Sequence, residues 1–99
     1  MVLARVKGHV VSTAKVADLT GRKLLLVEIL TVGDGDIVCT RKHMVCVDAV
    51  GAGDGELVLA VQGSSARVAP EMNGVSTDAV IVGIVESLEA YGRILQESE

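Results

Sequence analysis

The stretch GAGDGELVLAVQGSSAR, residues 51–67, decides how the chain is read. Glycine-rich loops either cradle phosphates or turn strands, and what surrounds the glycines separates the two uses. A phosphate-binding P-loop needs G-x-x-x-x-G-K-[ST] between a strand and a helix, with the lysine neutralising phosphate charge and the hydroxyl holding magnesium. GAGDGE offers neither, and it sets Asp54 and Glu56 where a phosphate would sit, so like charges repel. A dinucleotide turn needs G-x-G-x-x-G opening a helix. Here the third glycine comes one residue early and a strand-like run, ELVLAVQ, follows. The glycines therefore read as tight turns on either side of a strand. GSSAR also misses the nucleophile elbow G-x-S-x-G, because Arg67 replaces the last glycine. Ser64 and Ser65 read as caps of a turn through side-chain to backbone hydrogen bonds. Arg67 reads as a donor to a carboxylate or carbonyl, on another subunit if not on its own.

Outward from this segment the chain alternates strand and turn. VLARVKGHVVS (2–12) predicts a first strand with a bulge or bend at Gly8. TAKVADLTGRK (13–23) is polar and reads as a loop. KLLLVEILTV (23–32) predicts a second strand, buried on much of both faces. GDGD (33–36) carries Asp-Gly, a strong hairpin signal, and IVCTRKHMVCVDAV (37–50) a third strand. ELVLAVQ (56–62) is the fourth, GSSAR a turn or the start of a short helix, VAPEMNGVST (68–77) a loop, and DAVIVGIVESL (78–88) the fifth strand. EAYGRILQESE (89–99) reads as a tail, part strand, part short helix and part frayed. Five short strands predict a small β-barrel, whose closure removes exposed strand edges.

Composition agrees with that reading. Hydrophobic residues make up 49% of the 99 positions and aromatic residues 1%, so valine, leucine, isoleucine, alanine and methionine must build the core. Valine is the commonest residue, and β-branched side chains suit a half-buried pleated surface. A chain this short buries only about 60–65% of its unfolded surface. So apolar a chain has more such surface than one copy hides, which predicts self-association. No apolar run reaches the ~20 residues of a membrane span, since Glu28 interrupts KLLLVEIL. The N-terminus lacks the order of charge, apolar stretch and cleavage site of a signal peptide, so a cytoplasmic protein is expected. A net charge of −4 speaks against a nucleic-acid partner, and RKH (41–43) is too small a basic cluster to reverse that.

Cys39, His43 and Cys46 spell C-x3-H-x2-C, all zinc-ligand types, with His9 or Asp48 as a possible fourth. On a strand, however, His43 and Cys46 face opposite sides. The pair of cysteines reads as small hydrophobes in a reducing compartment and His43 as a surface residue. No metal or other cofactor, and no catalytic site, is expected.

RVKGHVVSTAK (5–15), KLLLVEI (23–29), VDAVGAGDGELVLAVQGSSAR (47–67) and the late TDAVIVGIVESL (77–88) together resemble the EutN/CcmL family, the pentameric vertex proteins of bacterial microcompartments, carboxysomes included. The resemblance implies an OB-like five-stranded barrel with one short helix, assembled as a cyclic homopentamer with a narrow axial pore. It implies a structural role: pentamers cap the five-fold vertices of a polyhedral shell tiled mostly by hexameric shell proteins, with no enzyme activity. Gly51, Ala52, Gly53, Gly55 and Glu56 match the first family motif; Gly63, Ser64, Ser65, Ala66 and Arg67 match the second. These motifs imply subunit contacts and a pore rim. Val11, Ser12, Thr13 and Lys15 match the end of the first strand and its loop. One departure is Ser76-Thr77-Asp78 where the family has Pro-Val-Asp, which loses a rigid proline before the last strand. Residues 1–88 are the expected barrel domain and 89–99 a variable tail. Two other classes stay open: an OB-like binding module for single-stranded nucleic acid or another ligand, which would want stacking aromatics and a positive groove, and a metal enzyme built on Cys39, His43 and Cys46.

Overall fold

The computed structural model of the chain describes residues 1–11, 23–62 and 79–97. Seven strands follow in order: β1 (Val2–Val10), β2 (Leu24–Gly33), β3 (Asp36–Asp48), β4 (Leu57–Gln62), β5 (Ala79–Ile84), β6 (Ser87–Ala90) and β7 (Arg93–Glu97). The first five close into a barrel in the order β1-β2-β3-β5-β4, with β4 returning to β1. All pairings are antiparallel except β3 with β5, which meet in parallel at Val47↔Val80 and Asp48↔Ile81. β6 and β7 form a separate hairpin.

Alternation of side chains about each strand fills the barrel. Ala4 and Val6 of β1, Leu25 and Val27 of β2, Cys46 of β3, Val58 and Ala60 of β4, and Ala79 and Ile81 of β5 form one buried cluster, joined by Ala52 from the β3–β4 turn. Val47, Val61 and Val80 form a second. Four of the ten residues in the larger cluster are alanines. A five-stranded barrel is narrow, and small side chains let opposite walls approach without a void.

Two expected turn features are present. Asp34 (φ 52°) and Gly35 (φ 81°) join β2 to β3, both left-handed as a two-residue hairpin of the primed type requires. The register of β1 on β2 slips between Val6 and Gly8, so the bulge falls at the residue beside Gly8. A second irregularity lies opposite. Glu28 pairs with His43 and Leu30 with Cys39, so Ile29 faces three residues, Thr40, Arg41 and Lys42, and Arg41 takes φ 64°. Glu28 is what stabilises this pair of bulges. Its carboxylate is buried, accepts the Arg41 backbone N–H at 3.1 Å and meets Lys7 Nζ at 3.4 Å. Thr40 Oγ1 donates to Ile29 O at 2.6 Å and accepts from Lys42 N at 3.2 Å. Read in sequence, Glu28 only interrupts an apolar run; folded, it satisfies backbone that the bulge would leave unpaired.

The C-terminal expectations need correction. The run 78–88 is not one strand: β5 ends at Ile84, and β6 begins at Ser87 in a different sheet. The tail is a hairpin through residue 97 rather than part helix, turning at Tyr91 (φ 58°) and Gly92 (φ 74°). No helix occurs among the described residues. Part of the expected first loop and the whole segment 63–78, where a short helix start was expected, lie outside them.

Candidate functional site

The glycine-rich turn is an anion cradle that the chain fills itself. Asp48 ends β3 with its carboxylate turned back over the following residues. Its Oδ1 accepts the backbone N–H groups of Val50 and Gly51 at 3.0 Å each and of Ala52 at 3.3 Å, and its Oδ2 accepts Ala52 N at 3.1 Å. Successive N–H groups converging on one point form the nest that binds phosphate in other proteins. Here a side-chain carboxylate occupies it, so the sequence-level exclusion of a phosphate site has a positive counterpart in the geometry.

The rest of the motif completes the turn. Gly51 and Gly55 take φ 79° and 83°, which any side chain would make strained. Gly53 has another reason to be glycine. Glu56 Oε1 accepts its N–H at 2.6 Å, and a Cβ on Gly53 would lie 3.3 Å from that oxygen. Ala52 is driven fully into the core. The turn is also tied to β1, as Gly55 N donates to Val6 O at 2.8 Å and Val6 N to Glu56 O at 3.0 Å. Lys23 Nζ donates to Ala52 O at 3.3 Å, and exposed His9 Nδ1 stands 3.6 Å from Asp54 Oδ1.

Gly51, Gly53, Gly55 and Glu56 thus belong to one braced turn. Gly63, Ser64, Ser65 and Arg67, together with Ser12, Thr13 and Lys15, lie outside the described residues. Sequence reasoning missed Asp48, weighed only as a metal ligand, and Arg5. The signal for Asp48 was there, since an aspartate ahead of a glycine-rich run is the residue type that hydrogen-bonds backbone two residues on. Arg5 had none. Its guanidinium donates to Gly55 O at 2.9 Å and to Gln96 Oε1 at 3.2 Å, linking the turn to the C-terminal hairpin.

The thiol and imidazole set does not converge. Cys46 faces the core, while Cys39 and His43 are exposed. Among the described residues no three His, Cys, Asp or Glu side chains are grouped to hold a metal ion. Burial pushes the Cys46 thiol up to about 11, so at neutral pH it is a protonated wall residue rather than a nucleophile or ligand.

Comparison with known proteins adds the family. Residues 1–86 match the family described as ethanolamine utilisation protein EutN/carboxysome. A bacterial microcompartment shell vertex protein of Salmonella typhimurium, PduN, is 49% identical over 90 residues, covering 89% of this chain and 98% of that protein. A solved carboxysome subunit, CcmL, superposes with a TM-score of 0.88 at 39% identity over the full length of both chains. The pentameric microcompartment shell protein GrpN from Rhodospirillum rubrum gives 0.76 at 43% identity, covering 91% of this chain and 99% of that one. With a family match over nearly all its length and relatives of its own size, this chain belongs to the EutN/CcmL family.

Proposed function

We propose that the chain is a structural protein of a bacterial microcompartment shell in the cytoplasm, and that five copies form the ring that caps each five-fold vertex. The observation that carries this is the likeness to pentameric GrpN across 99% of that chain at 43% identity. Physical reasons support it. A sheet of hexagonal tiles stays flat, and pentagons at its corners let it close. A ring needs rigid subunits with heterologous faces. A closed barrel whose glycine-rich turn is braced by its own carboxylates supplies that rigidity without a ligand.

In this reading the chain catalyses nothing, and its partners are itself and the hexameric tiles of the shell, not nucleic acid or membrane. Residues 1–88 form the shell unit and 89–99 a variable tail. Gly51, Gly53, Gly55 and Glu56, with Gly63, Ser64, Ser65 and Arg67, shape the contacts between copies and the rim of an axial pore. Light scattering on a sizing column tests the ring. Five chains of 10.3 kDa make about 52 kDa, and a peak at that mass is expected. A clean monomer would sink the vertex role and bring an OB-like binding module forward.

A further inference from the structure

We infer that Asp34 is a site of spontaneous modification, where the β2–β3 turn converts from aspartate to isoaspartate through a cyclic imide. Asp54-Gly55, a second Asp-Gly pair, is held in its native form. The chemistry is independent of the ring and acts within a single chain.

The reaction needs only the chain and water. The Gly35 backbone nitrogen attacks Cγ of the protonated Asp34 carboxyl. The N–Cγ bond forms, the Cγ–OH bond breaks, and the amide proton leaves with the hydroxyl as one water, closing a five-membered succinimide. Water then opens the ring. Addition at Cγ restores aspartate. Addition at the Asp34 carbonyl carbon breaks its bond to Gly35 N and leaves the backbone running through Cγ. Glycine at the following position makes its nitrogen accessible, because no Cβ stands beside it.

Sequence does not separate the two pairs. GDGD (33–36) and GDGE (53–56) differ only in the length of the fourth side chain, and both Asp34 and Asp54 are exposed. Hydrogen bonding separates them. Gly55 N donates to Val6 O at 2.8 Å, so the nitrogen that would attack Asp54 is bound to β1, and Glu56 N donates to Gly53 O at 3.2 Å across the same turn. At Gly35 the contact is on the other side of the peptide: Arg93 donates to its carbonyl oxygen, while no acceptor among the described residues meets its N–H. Two further aspartates are blocked differently. Asp48 is fixed by the three N–H groups of its nest. Ile37 N already donates to Asp36 Oδ1 at 2.7 Å, and its β-branched side chain crowds that nitrogen.

Isoaspartate adds one carbon to the backbone of a two-residue turn whose residues take φ 52° and 81°. The Gly33↔Asp36 pair that closes the turn and the Arg93 bond to Gly35 O both depend on that geometry. Old chains therefore differ from new ones at this tip.

Ageing the full chain tests this. Folded protein and protein in guanidinium chloride are kept at about 37 °C and pH 6 under reducing conditions until the unfolded sample holds isoaspartate at both 34 and 54. Circular dichroism confirms that the first sample stays folded. Electron-transfer dissociation of the proteolytic peptides then places isoaspartate residue by residue, which keeps Asn73-Gly74, whose deamidation also yields it, apart. The ratio of isoaspartate at 34 to that at 54 is expected to be at least roughly fivefold higher in the folded sample than in the unfolded one, the factor of one ordinary backbone hydrogen bond. A folded ratio within about twofold of the unfolded one, or below it, overturns the inference, as does a folded sample with no isoaspartate at 34.

Discussion

Cys46 lies in the barrel wall with no exposed surface, opposite Leu25 on β2. Burial raises its thiol from 9.0 to about 11, because a thiolate there would lose its hydration. The unfolded chain therefore gives up this proton at lower pH than the folded one. Below pH 9 the residue adds no pH dependence. Between about 9 and 11 stability falls, by about 1.4 kcal/mol per pH unit from this group. Urea unfolding at pH 8, 9 and 10 under reducing conditions should show Cys46→Val losing less stability than wild type across that range. Equal losses in both would mean that the thiol ionises freely in the fold. The inward direction of this side chain was legible from the three-residue spacing to His43. Glu28 was not legible, because nothing local tells a buried carboxylate from one that breaks an apolar stripe.

The elements most clearly written in the sequence are those set by one residue's backbone preference. Gly8 marked a bulge, Asp34-Gly35 marked a hairpin, and Gly51 and Gly55 marked turns. The β6–β7 hairpin turns through the same left-handed pair of conformations, yet Tyr91-Gly92 lacks the asparagine or aspartate that advertises such a turn. Its strands are four and five residues long, too short for alternation to stand out. The wide bulge of β3 was hidden for another reason: it depends on Glu28, fourteen positions before Lys42 and reached only after β2 and β3 have paired. Removing that carboxylate strips the Arg41 N–H of its acceptor and frees Lys7 to solvent. Glu28→Ala should cost about 0.5–1.5 kcal/mol, the net worth of the hydrogen bond to a part-buried N–H that solvent can reach once the carboxylate is gone. Chemical unfolding measures it, and a change below about 0.5 kcal/mol would show that the bulge holds without Glu28.

At the scale of the whole molecule, the closed barrel follows from strand count and apolar content, but its strand order, with β3 and β5 in parallel, and its long shape do not. The chain extends 45 Å along one axis and 24 Å along the other two. β2 and β3 run past the barrel to their turn, and the C-terminal hairpin is bonded to that turn through Arg93. So elongated a small domain has much surface for its core, and in the proposed ring neighbouring copies supply the missing burial. Assembly then contributes to folding stability by mass action, and the melting temperature should rise with protein concentration. A scan from about 1 to 100 µM by differential scanning fluorimetry checks this, and a constant melting temperature would show that each subunit is stable without its neighbours.

The carboxylate of Asp48 in its own nest has a consequence for the cell. A nest left vacant would respond to whatever anions a compartment concentrates, and its turn would tighten or loosen with metabolism. This one is answered from within the chain, by a group whose local concentration never changes. A vertex of the proposed kind, built on this turn, would therefore keep its shape whatever anions lie on either side of the wall.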